Sequence, residues 1–154
     1  ASKADECLGK IGYVAHCFNC LSRAPIASRF GAAAPKCPEC GSEMELGGPL
    51  WLGELWDRGF CEAMLEEVGR RRLGQGDRAA KLLSKVLEEI GMPPFHYTVD
   101  SLSDKYGIST PSPSKLINRL RALGRAASAT HFSPTGFRSD APIREIVSTA
   151  SSCL

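Results

Sequence analysis

No run in this sequence approaches the roughly 18 to 20 apolar residues of a membrane-crossing helix, so a helical membrane span is not expected. The first ten residues, ASKADECLGK, hold no apolar stretch of the kind that heads a secretory leader. There is no initiator Met, and the chain is read as a piece of a longer protein or as a shortened natural one. Histidine is scarce, at three residues, and neither His96 nor His131 has a recognisable catalytic partner. Gly74-x-Gly76 follows a run of arginines and no strand, which excludes it as a convincing nucleotide loop. Net charge is only +2.

That small net charge hides an uneven distribution. From Glu39 to Glu67 there are eight acidic residues and one basic, Arg58. From Lys105 to Arg144 there are seven basic residues and one acidic, Asp140. Such asymmetry fits one face for a polyanion and another for a different partner, or simply a solvated charged surface. With 154 residues, 43% of them hydrophobic, the chain can form one ordinary domain or two small ones.

Cysteine is the informative residue. There are seven, an odd number, with no secretion signal, so a reducing intracellular compartment is expected. Cys17-x2-Cys20 and Cys37-x2-Cys40 stand sixteen residues apart, the spacing of a zinc ribbon. A tight C-x2-C turn lets one short loop supply two thiolates to a tetrahedral Zn2+. With four cysteines no corner is left open for water, so the metal is structural and no catalytic residue is assigned. His16 is a weaker alternative ligand. In the second knuckle, Gly41 sits where a left-handed backbone is needed; the first knuckle lacks that glycine. Cys61 reads as a small core residue.

Short strands are expected on either side, in IGYVAHC and SEMELGG. Trp51, Leu52, Leu55 and Trp56 then form an apolar cluster, either a plug between subdomains or a docking surface. A helix is expected over about 57–73, with Phe60, Cys61, Met64, Leu65 and Val68 on one face. A second, over 78–90, is expected to be capped by Asp77 and to bury Leu82, Leu83, Val86, Leu87 and Ile90. FHYTV reads as a strand. Asp100 is the expected cap of a short helix with Leu102 and Tyr106 inward, and Pro113 opens the next one. That helix has the stripe Leu116, Ile117, Leu120 and Leu123. A strand, turn and strand follow, ending at SDAP.

The fold class expected is therefore α+β: a zinc ribbon over 1–56, then helices and a winged-helix-like segment over 57–154. In that order of elements the basic helix and the hairpin wing are the parts offered to nucleic acid, or else to a protein. The candidate nucleic-acid contacts are Lys115, Arg119, Arg121, Arg125, His131 and Arg138.

GYVAHCFNC, CPECG, GPLWLG, PFHYTVDSLS and THFSPTGFRSDAP, in this order, resemble the C-terminal domain of tRNA (guanine-26-N2)-dimethyltransferases. The resemblance covers Gly12 to Ile146. It implies a protein that methylates the exocyclic N2 of a guanine at the junction of two tRNA stems, using S-adenosylmethionine. It also implies that methyl transfer belongs to a separate N-terminal Rossmann-like domain carrying an Asp-Pro-aromatic motif. This chain has no Asp-Pro dipeptide and no strand followed by a glycine-rich loop and helix. It is expected to bind no S-adenosylmethionine itself, to be inactive alone, to hold tRNA and to lean on the catalytic domain. A zinc-ribbon and winged-helix module of transcription is the alternative.

Overall fold

The computed structural model describes residues 2–27 and 33–153. Helix α1, Lys3–Leu8, is closed by a capping box in which Ser2 and Asp5 satisfy each other's backbone N–H groups. Strands β1 (Ile11–His16), β2 (Arg23–Ala27) and β3 (Glu45–Trp51) form an antiparallel sheet with β1 in the middle. Gly12 lies where a Cβ would come within 2.3 Å of the Ile26 carbonyl oxygen, so only glycine lets β1 and β2 approach this closely. β3 starts three residues later than expected and runs on to Trp51, so the tryptophan segment begins inside the sheet.

Helices α2 (Arg58–Arg70) and α3 (Gly76–Glu89) pack against each other as a hairpin. Asp57 caps α2, its Oδ1 accepting from the Phe60 N–H at 2.7 Å. Three expectations need correction here. The N-cap of α3 is Gln75 without a side-chain bond, and Asp77 lies inside the first turn, where its charge suits the helix dipole. On α2 only Cys61 is buried; Phe60 and Met64 face solvent, because α3 covers just one side of the helix. Leu82 of α3 is likewise exposed.

The second sheet joins β4 (Tyr97–Thr98), β5 (Ala127–Ala129) and β6 (Gly136–Ser139) in the order β4-β6-β5. Between β4 and β5 lie α4 (Val99–Tyr106) and α5 (Pro113–Ala122). Thr98, not Asp100, caps α4: its hydroxyl accepts from the Ser101 N–H. Leu123 leaves the expected stripe because α5 ends at Ala122, and it is exposed. Helix α6, Ile143–Ser151, follows the hairpin and was not anticipated.

The described residues form two cores. Ala15, Cys17, Cys37 and Met44 form a small one around the thiols. Leu102, Leu116, Leu120, Phe137 and Ile146, all fully buried, centre the larger one. Each such side chain contributes roughly 1.5–3 kcal/mol by leaving water. Cys20 and Leu21 of the first knuckle pack against the larger core, so the ribbon is seated on the C-terminal half.

Candidate metal centre and nucleic-acid interface

The two knuckles have matching backbones. Leu21 N–H donates to Cys17 O at 2.7 Å, and Gly41 N–H donates to Cys37 O at 2.8 Å. Cys17 N–H and Cys37 N–H in turn donate to Ser22 O and Ser42 O. Both turns need a left-handed residue at the same point: Gly41 at φ 75° and Leu21 at φ 60°. Leucine there is strained, and its packing against the larger core offsets that cost.

These turns bring the Sγ atoms of Cys17, Cys20, Cys37 and Cys40 within 4.8 Å of one another. Cys17–Cys40 and Cys20–Cys37 are both 3.5 Å apart. Four sulfurs at about 2.3 Å from one Zn2+ would be about 3.8 Å apart, so the cluster can hold that ion. Burial pushes the Cys20 thiol up, whereas hydrogen bonds from the Ser42 side chain and backbone, then from Asn19, draw Cys40 down to about 5. His16 lies outside the cluster; its Nδ1 accepts from Arg23 Nε at 3.1 Å.

The ribbon is fixed to α4 and α6 through its knuckles. Tyr106 Oη donates to Cys20 O at 2.8 Å, and Lys105 Nζ donates to Phe18 O at 3.1 Å. Arg144 pairs with the Glu39 carboxylate at 3.2 Å and also bonds the Glu39 carbonyl. Arg23 of β2 reaches the His96 carbonyl.

The six candidate nucleic-acid contacts separate into two groups. Lys115 is exposed and makes no hydrogen bond or ion pair among the described residues; Arg119 is exposed and touches only Ser152 Oγ, at 2.9 Å. The other four are engaged within the fold. Arg121 bonds Ala127 O at 2.7 Å and pairs with Glu88 at 2.9 Å. Arg125 grips Glu145 with Nε and Nη2, at 2.7–3.1 Å, which holds that carboxyl below its ordinary range. Arg138 Nε meets Glu89 Oε2 at 2.9 Å and its Nη1 donates to Pro93 O at 2.6 Å. His131 binds the other Glu89 oxygen through both its backbone N–H and Nδ1.

Glu89 is only 4% exposed, and sequence reasoning missed it. The available signal was a carboxylate three residues beyond Val86, on the apolar stripe of α3. A buried carboxylate there needs partners, and the β5–β6 hairpin supplies them through the Arg138 guanidinium and the backbone and ring of His131. Trp56 stands edge-on against His131, ring centroids 5.5 Å apart, so part of the tryptophan cluster is packed on this network. Trp51 stays largely exposed, with Lys10 over its ring.

The model of the N2,N2-dimethylguanosine tRNA methyltransferase family matches residues 1–151. This chain belongs to that family. A tRNA (guanine(26)-N(2))-dimethyltransferase of Methanothermobacter thermautotrophicus is 40% identical over 95% of the chain, and one of Methanosphaera stadtmanae is 37% identical over 94%. The chain spans only 38% and 37% of those proteins. Trm1 from Pyrococcus horikoshii, solved as a complex with S-adenosyl-L-methionine, superposes with a TM-score of 0.77 at 29% identity, over 96% of this chain and 37% of that one. Family members are thus more than twice as long as the chain. Among the described residues no helix is long and apolar enough to cross a membrane.

Proposed function

We propose that this chain is the C-terminal, tRNA-holding region of a tRNA (guanine(26)-N(2))-dimethyltransferase, and that a separate N-terminal domain performs the S-adenosylmethionine-dependent methylation of guanine 26. The carrying observation is the family match over residues 1–151, combined with a span of 38% of a full-length relative. The same match weighs against an independent transcription module.

Zn2+ is the metal that four thiols at this spacing suit, and its role is to fix the ribbon. The order α3, β4, α4, α5, β5, β6 with sheet order β4-β6-β5 supports the winged-helix reading of 57–154, docked on the ribbon of 1–56. In that reading α5 presents Lys115 and Arg119 to the tRNA backbone. Arg121, Arg125, Arg138 and His131 support that face, the first two with part of their guanidinium still exposed. A-form RNA has a deep, narrow major groove, so α5 meets phosphates and does not insert. The uncovered side of α2, Phe60 and Met64, together with Leu55, is the surface offered to the methyltransferase domain. Free thiols throughout the described residues suit a reducing compartment.

The test is reconstitution. The chain with tRNA and S-adenosylmethionine gives no methyl transfer, and adding the parent protein's remaining polypeptide restores it. Transfer by the clean chain alone, or reconstituted activity that does not require the chain, overturns the proposal.

A further inference from the structure

A groove of about 390 Å³ runs between the ribbon and the C-terminal half; neither the four knuckle cysteines nor Glu89 lines it. Its lining includes Phe18, Arg23, Phe95 and His96. Phe18, in the middle of the first knuckle, is 61% exposed and lies edge-on to His16, centroids 4.4 Å apart. Phe132, at the turn between β5 and β6, is 52% exposed and lies outside the lining, edge-on to His96 at 4.9 Å and to His131 at 5.0 Å. Neither phenyl ring joins a core cluster. Both are held by neighbouring imidazoles with much of their surface open to solvent.

Arg23 ties the two sides together. Its guanidinium lies over the Tyr97 ring at 5.1 Å, donates to His16 Nδ1 and bonds the His96 carbonyl. Glu45 and His96 add an acceptor and a ring that can stack or hydrogen-bond. Exposed aromatic faces interleaved with Arg and His are the chemistry that receives an unstacked base: the ring supplies a π-surface and the polar groups read an edge.

We propose that this groove takes an unpaired nucleobase of the bound tRNA, stacked on Phe18. The inference rests on the tRNA-holding reading above and gives the interface a second, non-electrostatic part. Phosphate contacts from α5 position the RNA, and the groove selects RNA that has a base free to leave its stack.

The experiment measures binding of the zinc-loaded chain to an unmodified tRNA transcript and to a fully paired RNA duplex, across a salt series. Phe18→Ala is expected to weaken tRNA binding roughly 5- to 100-fold, with the salt slope and duplex binding unchanged. Phe18→Tyr retains affinity, whereas Phe18→Leu does not, which separates stacking from apolar contact. Phe132→Ala, outside the groove lining, is expected to weaken binding less than Phe18→Ala. Zinc content and melting temperature of each variant serve as fold controls, and both positions are exposed enough for these to hold. If the parent chain binds tRNA and Phe18→Ala or Phe18→Leu matches it, the groove is not a base site and the tRNA reading stands. If Phe18→Ala binds tRNA normally but loses the methyltransferase domain, the groove is a protein contact and the proposal is overturned. If the parent chain binds no tRNA at all, the underlying reading fails and this inference fails with it.

Discussion

Arg138 shows how a single side chain looks different in sequence and in space. As a cation in a basic stretch it reads as a phosphate contact. In the fold it neutralises Glu89, which is nearly sealed from solvent. Removing one partner of such a pair leaves a buried charge and costs about 3–5 kcal/mol. Arg138→Ala is therefore expected to lower stability by that amount in denaturant unfolding; a loss below about 1 kcal/mol would contradict the assignment. A tRNA-binding defect of this variant is therefore weighed against its loss of stability before a phosphate contact is assigned to Arg138. The knuckle turns give a second test at this scale. At Gly41 an added Cβ meets nothing within 4 Å, so Gly41→Ala is expected to cost about 1–2 kcal/mol through its backbone alone. Gly136→Ala places a Cβ 2.5 Å from Thr130 Oγ1 inside the hairpin and is expected to cost more. A melting comparison of the two variants orders them.

Among the elements, those with a clean period were legible. The stripe Leu116, Ile117, Leu120 located α5, and Pro113 marked its start. The two C-x2-C pairs located the knuckles to the residue. Caps were less legible, because Asp77 and Asp100 are good capping residues that the structure uses inside the first turn. Helix α6 is not announced by the sequence, because Ile143, Ile146, Val147 and Ala150 carry a helical period over only nine residues and no side chain caps its start. Strand β2 has few β-formers and is defined by pairing with β1, which no local pattern announces. The charge map was least legible: opposite charges far apart in sequence meet in space, leaving Lys115 and Arg119 as the freest of the six candidate contacts. Lys115→Ala and Arg119→Ala are each expected to reduce the salt slope of tRNA binding by about one. An unchanged slope in both would move the interface off α5. Arg125–Glu145 ties α6 to the segment after α5 and adds a pH dependence. The Glu145 carboxyl is held below its unfolded value, so its contribution is complete above the ordinary carboxylate range and is lost as pH falls through the folded value. Glu145→Gln is expected to flatten that part of the stability–pH curve.

Across the whole molecule, the metal centre and the larger core are mechanically joined. Cys20 and Leu21 touch that core, and Tyr106 and Lys105 of α4 bond the carbonyls of the first knuckle. One zinc per chain is expected on metal analysis. Its removal by a chelator should raise amide exchange in the ribbon and also at the C-terminal end of α4, because metal binding and folding are linked. Exchange confined to the ribbon would mean that the two halves are independent. The groove is walled in part by the ribbon, so this surface is expected to change shape when the metal is removed.

The central claim is that this surface holds tRNA without help from the methyltransferase domain. The most direct test is the affinity of the zinc-loaded chain alone for unmodified tRNA, titrated from low to physiological salt. Measurable binding that falls steeply and log-linearly with salt is the predicted result, since each phosphate neutralised releases counterions. No binding at low salt, or binding indifferent to salt, would contradict it.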